Sequence, residues 1–264
     1  MHIWSIANQK GGVGKTTTAV TLAGLCAGQG YRTLLLDMDP HGSLTAYFGH
    51  DPETLESGLY TLFQAPPESA AQVRALLRET KQANLSLLPA STALATLDRQ
   101  LGARDGMGLV AARALEQVAQ EFDHAFIDCP PMLGVLMVNA LAACDRLIVP
   151  VQTEFLAIKG LERMLHTLSM IERAKSLRVP HTIVPTMFDR RTRASIDSLR
   201  VLRERFGKQL WEGVVPVDTR FRDASRAGVP LGQFMPGSRG AKAYGELLDY
   251  LFGAIGHGAK AVAS

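Results

Sequence analysis

Cysteine is scarce, with only Cys26, Cys129 and Cys144 in 264 residues. They make neither a C-x-x-C pair nor an even set, which argues against a disulfide framework and against a zinc or iron–sulfur site built within one chain. They read as small apolar residues of a reduced compartment. Long apolar runs are missing too. No stretch approaches the ~18 unbroken apolar residues of a membrane span, so no integral membrane segment is expected. The opening Met1-His2-Ile3-Trp4-Ser5 lacks a basic region followed by an apolar one, so no export signal is read and a cytoplasmic protein is expected. Repeats and low-complexity tracts are absent. Ala65-Pro66-Pro67 and the turn Gly102–Gly108 are too short to divide domains. A charge imbalance is lacking as well: 28 Lys and Arg against 25 Asp and Glu leave +3.

Apolar residues make up 47% of the chain, enough for a substantial core. They fall in short runs that predict strands at Ile3–Ala7, Thr33–Leu36, Leu85–Leu88, Ala125–Ile127, Leu147–Val149, Thr182–Val184 and Val214–Val215. Amphipathic stretches between them predict helices near Thr16–Gln29, Ala70–Gln82, Leu109–Gln120, Leu156–Arg173, Ser195–Phe206 and Ala241–Leu251. Several runs are apolar on both faces, as strands covered by helices on both sides should be. The alternation predicts a single α/β domain over residues 1–255, with a mostly parallel sheet between two layers of helices. Residues 256–264 are small and polar and predict a flexible tail.

The most informative segment is Lys10-Gly11-Gly12-Val13-Gly14-Lys15-Thr16-Thr17, between the first strand and the first helix. That is the setting of a P-loop. Glycines let the backbone turn with its N–H groups inward, and the helix N-terminus favours phosphate. Gly11, Gly12, Val13 and Gly14 would form the cradle and Thr17 would continue it. Lys15 would reach the β- and γ-phosphates of ATP, and Thr16 would ligate Mg²⁺. The ordinary pattern wants glycine where Gln9 stands, and Lys10 is an extra cation.

This departure resembles the deviant Walker A motif of the ParA/MinD family, and Ala7–Thr18 closely resembles ParA proteins. The resemblance implies that Lys10 reaches across an ATP-bound homodimer to the partner's phosphates, a finger supplied in trans. Leu36-Asp37-Met38-Asp39-Pro40-His41-Gly42-Ser43 resembles the family's switch I, with His41 where many relatives have glutamine. There Asp39 would orient the attacking water, and Asp37 and Asp39 would help hold the magnesium environment. Phe126-Ile127-Asp128-Cys129-Pro130-Pro131 resembles the Walker B segment, in which Asp128 would meet Mg²⁺ through water. The likeness continues through Pro150–Glu154, Pro185–Asp189 and Ser238–Tyr244. For the base it points to Met187, with the turn Pro216-Val217-Asp218 as a second candidate.

The neutral total hides an asymmetry. From Arg173 to Lys242 the chain has 15 basic and 6 acidic residues, and the remainder is net −6. Arg190, Arg191 and Arg193 cluster in a loop, Arg200 and Arg203 share a predicted helix, and Arg220, Arg222 and Arg226 follow. Without a helix-turn-helix pattern or an aromatic ladder, such a surface would hold phosphate backbones non-specifically. A solvated helix face with Asp197 and Glu204 interspersed is the competing reading. ParA relatives bind DNA in this way as dimers.

The resemblance thus implies an Mg-dependent ATPase, slow and stimulated by a ParB-like or ParP-like partner, that positions or segregates cargo on the nucleoid or at a pole. The segment Asp39–Pro52 and Trp4 resemble orphan members of chemotaxis clusters, called ParC, which position receptor arrays. A MinD-like membrane switch would need a basic amphipathic C-terminal helix, and only Lys260 stands there. A nucleotide-gated binding module with little hydrolysis is the remaining alternative.

Overall fold

Leu34, Leu35 and Leu36 are all fully buried, which requires protein against both faces of their strand. The computed structural model describes residues 1–97, 107–175 and 178–261 and supplies those two layers. Seven strands are β1 (His2–Ile6), β2 (Thr33–Asp37), β3 (Arg78–Glu79), β4 (Leu85–Leu88), β5 (His124–Asp128), β6 (Arg146–Gln152) and β7 (His181–Thr186). They form one sheet in the order β3-β4-β2-β5-β1-β6-β7, parallel except for β3. The helices described are α1 (Lys15–Gly28), α2 (Ser43–Tyr47), α3 (Leu59–Gln64), α4 (Ala70–Arg74), α5 (Val110–Gln117), α6 (Val135–Ala143), α7 (Phe155–Lys175), α8 (Arg193–Phe206), α9 (Arg220–Ala227), α10 (Leu231–Phe234) and α11 (Arg239–Ala261).

Alternation along the strands divides the core in two. Leu34 and Leu36 of β2, with Ala125 and Ile127 of β5, pack against residues of α5, α6 and α7. Leu35 and Phe126 point the other way, joining Trp4 and Ile6 beneath Ala19, Leu22, Ala23 and Cys26 of α1 and Leu247, Leu248 and Leu251 of α11. Each fully buried leucine contributes about 1.5–3 kcal/mol to this three-layer arrangement. The predicted single α/β domain with helices on both faces is the fold observed. Burial pushes the Cys26 and Cys144 thiols up to about 12 and raises that of Cys129 as well, so all three stay neutral, as small apolar residues would.

Two local expectations are corrected. The helix predicted over Ala70–Gln82 stops at Arg74, and Arg78–Glu79 becomes an antiparallel edge strand on β4. The unpaired backbone groups of β4 outcompete helix propensity there. Arg78 secures the change by donating to the Leu76 and Leu77 carbonyls and to Ser57. Val214–Val215 is no strand: Val215 donates to Pro185 O at 2.8 Å, but Pro216 has no N–H and the pairing ends in an isolated bridge to Phe188. Helix α11 runs from Arg239 to Ala261. Positions 102–106 of the glycine-containing turn lie outside the described residues.

Candidate active site at the carboxyl ends of the central strands

Strand β5 lies between β2 and β1, so three chain segments converge where these strands end. Asp37 faces Asp128 in register across β2 and β5, and Ile6 faces Asp128 across β1 and β5. The loop after β1 carries the glycine-rich motif and enters α1. Gly12 and Gly14 have φ of +72° and +93°, a region that side chains other than glycine seldom adopt. A Cβ at Gly11, Gly12 or Gly14 would meet no other part of the protein within 4 Å, so the loop leaves open space at these positions. Helix α1 starts without a side-chain cap and without an acidic residue in its first turn. Its first N–H groups and its dipole are therefore available to an anion.

The loop is fastened from below. Asn8 donates to Pro150 O and accepts from Lys10 N, while Thr186 donates to Val13 O at 2.9 Å. Val13 itself is fully buried. Lys15 is also buried and folds back over the loop, its Nζ 3.5 Å from Lys10 O. Thr17 continues the first turn of α1 and its carbonyl accepts from Thr21. Lys10, the second cation of the loop, pairs within its own chain with Glu154, at the start of α7.

The three acids have different surroundings. Asp37 is fully buried, with Oδ1 accepting from Asp39 N and Oδ2 from both the backbone and the hydroxyl of Thr45. Asp37 thus holds the switch I segment in place through α2. Burial raises its pKa to about 7 despite those hydrogen bonds. Asp39 is largely shielded, and its Oδ1 meets the backbone N–H and Nδ1 of exposed His41. Asp128 accepts from Thr16 Oγ1 at 2.6 Å through Oδ2, while its buried Oδ1 has no partner. Burial raises the Asp128 pKa well above the carboxylate range, and the neighbouring Asp37 charge adds to this.

An orphaned carboxylate oxygen beside a threonine hydroxyl fits a hard divalent cation. Among the described residues no cluster of three or more His, Cys, Asp or Glu side chains could hold a metal alone. A magnesium ion here would need further oxygens from an anionic ligand, which is how this ion is usually bound.

Past β7 the chain turns at Met187, whose φ of +53° is unusual for a long side chain. Pro216 and Asp218, but not Met187, line a cavity of about 670 Å³ that also takes in Phe188, Arg190, Arg191, Arg220 and Arg239. Asp218 caps its neighbours, accepting from Arg220 N and Gly240 N at 3.0 Å each. The structure therefore brings three of the predicted basic residues, Arg190, Arg191 and Arg220, to one cavity and adds Arg239 to them.

The other arginines stand apart from that cavity. Asp197 binds both Arg193 and Arg200, and Arg203 donates to Glu212 O. Arg191 is held bidentate by Asp189, and Arg220 lies 3.6 Å from Asp223. Arg190, Arg222 and Arg226 are exposed and have no ion pair among the described residues. Sequence reasoning did not single out Thr45, Glu154 or Arg239. Thr45 lies eight positions from Asp37, and no spacing rule would have linked them.

Comparison with known proteins places this geometry in a family. The AAA domain family AAA_31 matches residues 1–179. The sporulation initiation inhibitor protein Soj of Bacillus subtilis is 35% identical over 93% of this chain and 96% of its own. The chromosome partitioning protein ParA of Myxococcus xanthus is 35% identical over 92% of this chain and 85% of its own. A crystal structure of cobyrinic acid a,c-diamide synthase from Mycobacterium smegmatis, with bound ATP analogue and magnesium, is 35% identical with a TM-score of 0.82, over 96% of this chain and 94% of that one. Among the described residues no helix is long and apolar enough to cross a membrane. The chain belongs to the ParA/Soj family of P-loop NTPases.

Proposed function

We propose that this protein is a Mg²⁺-dependent ParA-type ATPase. In this reading ATP assembles a homodimer that binds DNA non-specifically, and partner-stimulated hydrolysis dissolves it. The observation that carries the reading is the pairing of Thr16 with Asp128, whose second oxygen is free, at the foot of a phosphate loop bearing two lysines. Binding falls to the loop N–H groups and Lys15, with the base near Met187 or the Pro216–Asp218 turn. The ion, held through Thr16 and Asp128, would neutralise phosphate charge when bound. Asp37 holds switch I so that Asp39 can orient the attacking water. Lys10 must leave Glu154 to reach a partner's phosphates, which makes charge neutralisation conditional on dimer formation.

The cycle has two states with different partner affinities, and nucleotide sets their populations. A ParB-like or ParP-like protein would stimulate hydrolysis, and the cargo would be chromosomal or plasmid DNA or a chemotaxis array. The protein would accordingly be found on the nucleoid or at a pole. The support is the family membership together with the exposed arginines on α8, α9 and the loop before α8.

The deciding experiment combines light scattering with ATP turnover for Asp39→Ala. A stable dimer in ATP, a monomer in ADP and lost turnover are expected. Wild-type turnover in the variant would reject the role given to Asp39.

A further inference from the structure

A set of buried hydroxyls outside the phosphate loop joins it to the arginine-bearing loop 189–192, before Arg193 opens α8. Thr186 Oγ1 donates to Val13 O, and the Thr186 carbonyl accepts from Thr153 N at 3.1 Å. Thr153 Oγ1 lies 3.4 Å from the carbonyls of both Thr186 and Met187 and 2.6 Å from Ser195 Oγ. Ser195 Oγ in turn accepts from Asp189 N at 3.1 Å, and Asp189 grips Arg191. Thr153, Thr186 and Ser195 are all buried.

The donors fall in one consistent order. Asp189 N–H donates to Ser195, Ser195 to Thr153, and Thr153 to the carbonyls at the end of β7. Each hydroxyl has one proton, so no water is needed to complete the chain. These groups bracket Met187, whose left-handed turn persists while the carbonyls around it stay bonded. A displacement of Val13 would therefore be passed to Thr186 and through it to the turn that leads to Arg190.

We propose that Thr153 and Ser195 are positioning residues that couple the phosphate loop to the arginine-bearing loop, so that nucleotide state sets how Arg190 and Arg191 face a phosphate backbone. The output of this relay rests on the DNA reading above, while the coupling itself does not. Both act through the backbone of residues 186–189.

The test pairs two readouts on the full chain. Amide hydrogen exchange of residues 188–193 is measured with ATP and with ADP, alongside salt-titrated binding of a random-sequence duplex. The wild type should show a nucleotide-dependent difference of about tenfold in both. Thr153→Val and Ser195→Ala should reduce it to about twofold or less with ATP affinity kept, and Thr153→Ser should restore it. Should Thr153→Val fail to fold, Ser195→Ala carries the same comparison. Wild-type nucleotide response in Ser195→Ala, or no rescue by Thr153→Ser, would overturn the relay. A loop that responds in the wild type and not in Ser195→Ala, without any DNA binding, supports the relay and rejects the DNA reading.

Discussion

Asp37 and Asp128 lie opposite one another in register on adjacent parallel strands, both removed from solvent. One has its oxygens committed to holding a loop, and the other keeps an oxygen with no partner. Two like charges in one buried site are unfavourable until a cation joins them, so the site trades stability for binding.

This predicts a pH dependence of the ligand-free protein. The Asp37 pKa is raised from 3.8 to about 7, and that of Asp128 is raised as well. A carboxyl that holds its proton more tightly when folded stabilises the fold below its unfolded pKa. That stability is lost as pH rises towards the folded value, at up to about 1.4 kcal/mol per unit and group. Thermal unfolding should thus show falling stability between pH 4 and pH 7. Asp128→Asn should flatten that decline and raise the melting temperature at pH 8 by roughly 2–4 °C. A lower melting temperature at pH 8 would contradict the argument.

The phosphate loop gives a backbone prediction. A Cβ at Gly12 or Gly14 meets no other part of the protein within 4 Å, so a loss of folding stability in Gly12→Ala or Gly14→Ala comes from the left-handed conformation, and ATP affinity falls through that strain together with any contact between the methyl group and the bound phosphates. The strain costs about 1–2 kcal/mol per residue and should weaken ATP affinity about tenfold or more, by calorimetry. Affinity equal to wild type would mean the loop binds in another conformation.

Lys10 and Glu154 give a prediction about assembly. Their pair is partly exposed and is worth at most about 1 kcal/mol. Each protomer of the homodimer would break one such pair, so Glu154→Gln should release both lysines and tighten the ATP-dependent dimer by up to about thirtyfold in sedimentation experiments. Lys10→Ala should keep ATP binding and lose hydrolysis. Unchanged partner-stimulated turnover in Lys10→Ala would exclude action across the dimer.

The arginines give a ranked prediction for DNA. Arg222 and Arg226 are exposed with no ion pair among the described residues, whereas Arg200 is bound to Asp197. The double variant Arg222→Ala/Arg226→Ala should lower the salt slope of DNA binding by about 1.8 for each protomer in contact, since each phosphate contact contributes about 0.9. Arg200→Ala should change it less. Equal effects would point to a diffuse basic face without defined contacts.

How much was legible varied with the distance over which a residue acts. The glycines of the loop and Lys15 act through their own backbone and the helix they open, so spacing announced them, whereas the role read for Lys10 came from the family resemblance. Asp128 was legible because it ends an apolar run. Edge strand β3 was not, since Ala70–Gln82 has helical periodicity and only the free edge of β4 drew Arg78–Glu79 out of it. The roles of Thr45 and Glu154 were hidden for a similar reason. Each meets its partner through the fold, Glu154 at 144 positions from Lys10.

By itself the sequence determined the alternating α/β pattern, the phosphate loop and the acids that end β2 and β5, because local periodicity and backbone geometry suffice for these. Tertiary structure decided which acid keeps a free oxygen, which arginines are already neutralised, and that buried hydroxyls join the phosphate loop to the basic one. Those properties depend on desolvation and on hydrogen bonds between residues far apart in the chain, and only the packed fold creates them.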